Sequence, residues 1–121
     1  METDLERYRR TFFAEAVEHL AALESSLLRL ESGGHDPATA DAAFRAAHSL
    51  KGGADAVGFP QLTRFTHAME EVLDRCRTAT VIPTERLDTL LEATDFLTKL
   101  VDGTRAGAAE PAVRLHLRPG P

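Results

Sequence analysis

Apolar residues recurring at steps of three and four constrain this chain more than any other feature, because only a helix puts such positions on one side. From Asp4 to Glu31 the stripe reads Leu5, Tyr8, Phe12, Ala16, Leu20, Leu23, Leu27 and Leu30, and Gly33-Gly34 is expected to end it. A second helix opens with Asp36 as N-cap and Pro37 in the first turn, where its missing N–H has no partner to lose, and runs to about Ala56 before Gly58 and Pro60 stop it. The third begins near Pro60, carries Leu62, Phe65, Met69, Val72, Leu73 and Cys76 on one face, and fades in "TATVIPT". Thr84 is expected to cap a fourth, with the stripe Leu87, Leu90, Leu91, Thr94, Leu97, Leu100 and Val101, closed by Gly103. Four helices that each bury one stripe must share a core. Short connections make neighbours antiparallel, so the expected fold is all-α, an antiparallel up-and-down four-helix bundle over residues 1–105. The remainder, 106–121, has a different pattern. Val113, Leu115 and Leu117 alternate with polar residues at the two-residue period of a strand, which reads as a non-helical tail, a linker or the start of a following module.

Composition narrows the class. A chain of 121 residues with 43% hydrophobic residues supports one core, not two. No apolar run approaches the roughly 20 residues a membrane helix needs, and the charged start "METDLERYRR" is unlike a leader peptide. The single cysteine, Cys76, excludes an internal disulfide framework and suits a reducing compartment, so a cytoplasmic location is expected. A net charge of -5 with scattered arginines argues against a broad nucleic-acid footprint and places protein partners first, with no membrane partner expected.

The stretch "FRAAHSLKGGADAVGF", residues 44–59, does not fit a chain selected for folding alone, since each interior glycine costs a helix about 1 kcal/mol relative to alanine. On the wheel of the second helix Ala40, Ala43, Ala47, Leu50, Ala54 and Val57 form the apolar side, while Phe44, His48, Lys51 and Asp55 form a separate row that leaves His48 on an exposed edge. Lys51 is one turn on from His48, and Gly52 occupies the position whose side chain would otherwise crowd the ring. Gly53, on the opposite flank, permits close approach of a neighbouring helix. On the third helix Thr66 and Glu70 flank the apolar stripe, and His67 is one turn before Glu70. If that flank adjoins His48, Glu70 can accept from one imidazole nitrogen and leave the other unprotonated. A neutral imidazole so held is a nucleophile toward phosphorus, and Lys51 can offset the charge of the product. A metal site from His48, His67 and Glu70 is the weaker reading: bundle metal sites use inward Glu-x-x-His pairs from several helices, whereas His67 and Glu70 stand in the reverse order.

With "LTRFTHAMEEVLDRCR" the same stretch resembles the histidine-containing phosphotransfer domain at the N-terminus of chemotaxis-type (CheA-like) histidine kinases. The resemblance implies that His48 is the phosphoacceptor, served by a kinase catalytic domain carrying ATP and Mg, and that the phosphoryl group passes to an aspartate of a response regulator receiver domain. It also implies that Lys51 answers the phosphate charge and that Glu70 and His67 form the hydrogen-bonded group around the imidazole. Gly52, Phe44, Arg45, Ser49 and Asp55 are expected to face the docking partner; Asp55 departs from the pattern, many relatives having a small or neutral residue there. No cofactor or metal is expected on the domain itself, since no Walker-type glycine loop is present and "KGGADAVG" lies within a helix. An isolated domain of this kind is expected to be a monomer, because dimerisation in such kinases resembles the task of another domain. The alternatives are a free-standing member of a multistep relay, with the same chemistry, and a structural or dimerising bundle in which His48 is incidental.

Overall fold

The computed structural model describes residues 1–107, and those residues form four helices: α1 Asp4–Gly33, α2 Pro37–Ala56, α3 Pro60–Thr78 and α4 Thr84–Arg105. The strand pattern at Val113, Leu115 and Leu117 lies outside the described residues. Among those described there is no strand, and no helix is long and apolar enough to cross a membrane. The helices form a ring: α1 packs on α2 and α4, and α3 packs on α2 and α4, so each is antiparallel to its chain neighbour across a short connection. The bundle is therefore of the up-and-down kind.

The helix starts follow from side-chain chemistry. Thr3 accepts from the Glu6 backbone N–H at 3.1 Å, and Asp36 accepts from Ala38 N–H at 3.2 Å and from the Thr39 hydroxyl at 2.7 Å. Gly34 and Gly58 take φ of 78° and 79°, where an L side chain is strained, and these two positions turn the chain out of α1 and α2. The fourth helix differs from its expectation at both ends. Pro83, not Thr84, precedes the first turn and no side chain caps it; the Pro83 carbonyl instead accepts from Arg86 and Leu87. Gly103 lies within the helix, which continues to Arg105 because the positive-φ glycine is Gly107.

The core is built from the predicted stripes, with Leu23, Leu27, Leu50, Leu62, Met69, Leu73, Leu90 and Leu97 among the largest fully buried side chains. On α2 the buried residues are mostly alanines, Ala40, Ala43, Ala46, Ala47 and Ala54, so its neighbours approach closely. Gly53 is where this is tightest, as a Cβ there would meet Phe12 Cδ1 at 2.9 Å. Buried Thr66, Thr94 and Thr104 satisfy their hydroxyls on the carbonyls four residues back, so polar groups enter the core without orphaned donors. Two residues of the α1 stripe stay outside it. Leu5 and Tyr8 are 46% and 56% exposed, because the α2–α3 corner is met one turn later by Arg9, Phe12 and Phe13. Arg9 Nε donates to the Val57 carbonyl at 2.9 Å, and the rings of Phe12 and Phe13 pack on Phe59.

Candidate functional site

The α2–α3 contact sets the site. Its antiparallel register brings His48 opposite Glu70, and the exposed edge of α2 predicted for His48 is where the imidazole lies, with its side chain 63% exposed. His48 Nδ1 is 2.5 Å from Glu70 Oε2, and Lys51 Nζ donates to Glu70 Oε1 at 2.7 Å. One carboxylate thus serves both groups, 19 and 22 residues away in sequence. Glu70 is not the flanking surface residue its wheel position suggests, since it is 8% exposed, and Thr66 one turn before it is fully buried. Packing of α3 against α2 turns that flank inward.

Burial pushes the Glu70 carboxyl up, but the hydrogen bonds from Lys51 and His48 and their charges outweigh it, and its pKa lies below the ordinary value. Glu70 is therefore ionised at neutral pH and can only accept. The proton in the short contact belongs to His48 Nδ1, the tautomer that in a neutral imidazole leaves Nε2 with its lone pair. Nε2 has no hydrogen-bond partner among the described residues.

The other predicted residues divide. His67 is near but separate: its Nδ1 is 3.7 Å from Glu70 Oε1, too long for a hydrogen bond, and its Nε2 pairs with Glu71 Oε1 at 3.0 Å. Lys51 is fastened to Glu70, and so stands beside the imidazole with its ammonium already engaged. Gly52 is open, with nothing within 4 Å of where a Cβ would stand. Ser49 is exposed on the side facing α1, bordering a shallow groove with Tyr8, Glu15 and His19. Arg45 is exposed and paired with Asp41 at 2.6 Å, and Asp55 is exposed near the end of α2, away from Glu70. Phe44 is half-buried against the core, with its ring stacked on His48 at a centroid distance of 5.9 Å. Among the described residues no three His, Cys, Asp or Glu side chains are grouped as a metal ion requires. Arg77, which lies over the Phe44 ring, and Asp41 and Asp74, which pair with Arg77, were not anticipated from the sequence. A register argument reaches them: with His48 opposite Glu70, Asp41 seven residues earlier on α2 falls opposite Arg77 seven residues later on α3.

Comparison with known proteins agrees with this geometry. The family model described as "Hpt domain" matches residues 7–106. The chain is similar to the chemotaxis protein CheA of Rhizobium meliloti, 40% identical over 112 residues covering 92% of this chain and 15% of that protein. It is also similar to CheA of Halobacterium salinarum, 33% identical over 103 residues, covering 84% of this chain and again 15% of the relative. The chain thus spans a small part of the length of the curated relatives it matches. Among solved structures it superposes on the CheA phosphotransferase domain from Thermotoga maritima with a TM-score of 0.76 at 33% identity, covering 86% of this chain and 99% of that one. A solution structure of the histidine phosphotransfer domain of CheA gives a TM-score of 0.77 at 33% identity, over 87% of this chain and 80% of that one. With the family model spanning four helices and whole-domain likeness to two CheA phosphotransfer structures, the chain belongs to the Hpt domain family.

Proposed function

We propose that His48 is the phosphoryl carrier of this domain, receiving the group from an ATP-loaded kinase domain and passing it to an aspartate of a response regulator receiver domain. The observation that carries the reading is the 2.5 Å contact between Nδ1 and the buried, ionised Glu70, on a ring that is otherwise 63% exposed. In the forward step the Nε2 lone pair attacks the γ-phosphorus of ATP held by the kinase domain with its Mg ion, the bond to the β,γ-bridging oxygen breaks, and ADP leaves with that electron pair. Nδ1 keeps its proton, so the phosphorylated ring is cationic, and Glu70 accepts from the same N–H with greater charge complementarity than before. In the second step a carboxylate oxygen of the receiver aspartate attacks phosphorus, the N–P bond breaks, and the pair returns to Nε2. The imidazole is restored neutral with no net proton change.

Lys51 supports this indirectly. Its ammonium on Glu70 keeps the carboxylate ionised and fixed, and supplies positive charge close to the reacting ring. The open surface at Gly52 gives a second protein a flat approach to His48. ATP and Mg enter only through the kinase partner, and this domain acts as substrate and donor. The test is incubation with an active kinase domain of the chemotaxis type and ATP-Mg, followed by intact mass. A gain of one acid-labile phosphoryl group, lost on adding a receiver domain, is the expected result. A bundle with an incidental histidine stays unlabelled.

A further inference from the structure

Phe44 lies one turn before His48 on α2, and the two rings are 15° from parallel. Besides its packing against the core, Phe44 meets Arg77 of α3, whose guanidinium carbon stands 3.8 Å from the centre of the ring. Two carboxylates fix that guanidinium. Nη1 donates to Asp41 Oδ1 at 3.2 Å, across the helix pair, while Nε at 3.2 Å and Nη2 both donate to Asp74 Oδ1. Asp41, one turn before Phe44, also accepts from Arg45. The row along α2 therefore runs from an anchored guanidinium to a phenyl ring to the imidazole.

We propose that Arg77 is a positioning residue for His48, acting through Phe44. The exposed imidazole is held by one hydrogen bond, and a single bond leaves a ring free to swing about that contact. A flat apolar wall alongside removes part of that freedom and keeps Nε2 in one direction. Packing against the core holds Phe44 in part, and a guanidinium on its face, clamped by Asp41 and Asp74, adds a second hold on the ring. A pairing that served only to join α2 to α3 needs Asp41 alone; it gives no reason for the guanidinium to lie over the ring or to be turned by the bond to Asp74, which is on Arg77's own helix.

The proposal rests on His48 as the acceptor, so the full chain is tested by two readouts, only one of which needs the kinase. The first is the set of imidazole 15N signals of His48, which report the Nδ1–H tautomer. The second is the labelling rate by kinase domain and ATP-Mg. Arg77→Gln and Phe44→Leu are expected to move the 15N signals toward an average of both tautomers and to slow labelling about threefold to tenfold, the range set by aromatic pair energies. Phe44→Tyr, which keeps the ring, is expected to restore both. Unchanged 15N signals in folded Arg77→Gln overturn the proposal, and so does wild-type labelling by both Arg77→Gln and Phe44→Leu. If Phe44→Leu fails to fold, Arg77→Gln, altered at a side chain 34% exposed, carries the test alone. A wild-type chain that an active kinase leaves unlabelled refutes the acceptor role itself, and the 15N readout still decides the positioning role.

Discussion

Replacing Glu70 by alanine removes the single acceptor shared by His48 and Lys51, and the two losses are separable because the partners differ in exposure. Lys51, its side chain 23% exposed, loses the one carboxylate within ion-pair distance among the described residues, leaving a partly buried side chain with an uncompensated charge. That costs about 1–2 kcal/mol, a melting temperature lower by about 4–16 °C for a bundle of this size. The His48 contact contributes less to stability, since water replaces it at a ring 63% exposed, but it governs which nitrogen holds the proton. Discounted for solvent, a hydrogen bond to a charged acceptor is worth about 0.5–1 kcal/mol there, and its loss slows labelling about twofold to fivefold. Initial rates of labelling, followed by intact mass well below the melting transition, measure this directly. Glu70→Gln is the companion variant: its amide keeps the shape and one acceptor oxygen, so it should melt closer to wild type and still be labelled slowly. If both variants are labelled at the wild-type rate while folded, the tautomer argument is wrong.

Other outcomes follow from the same geometry. Gly52→Ala, entering open space in a helix interior, should raise the melting temperature by about 4–8 °C, the gain of roughly 1 kcal/mol in helix propensity, whereas Gly52→Leu should fold and transfer its phosphoryl group to a receiver domain more slowly. Gly53→Leu must displace Phe12 and should cost about 1–3 kcal/mol, read by urea unfolding; an unaltered midpoint would contradict the close α1–α2 packing. Acid should destabilise the fold through Glu70. Its native pKa lies below the ordinary 4.5, so the unfolded chain takes up the proton first as pH falls. The stability it contributes is complete above about pH 5 and is lost as pH drops through the native pKa. Urea midpoints at pH 7, 5 and 3.5 should fall mainly in the last interval, and Glu70→Gln should flatten that fall.

Most of the fold was legible because each helix announces its buried side by spacing and its ends by short-range chemistry. Asp36-Pro37, Gly33-Gly34 and Gly58-Phe59-Pro60 act within a few residues, and the structure places the corresponding boundaries beside them. Thr84 and Gly103 misled for the same reason: a threonine or a glycine marks a helix end only when its backbone leaves helical geometry, and here it does not. Leu5 and Tyr8 satisfy the periodicity, but burial also needs a neighbour, and the corner that Arg9, Phe12 and Phe13 cover lies one turn further along. In the site, His48 and its exposed edge could be placed from one helix alone. Glu70 could be nominated but its burial could not, because that depends on how far α3 rotates toward α2. The Arg77–Phe44 contact spans 33 positions of sequence and becomes visible only once the register of the two helices is known.

The measurement that tests the central claim most directly is NMR of the kinase-labelled domain carrying 15N in its histidines. The account predicts that 31P couples to Nε2 of His48 alone, that Nδ1 keeps its proton against Glu70, and that His48→Gln, folded with a melting temperature near that of wild type, shows no such signal. Phosphorus on Nδ1, or on any residue other than His48, would contradict it.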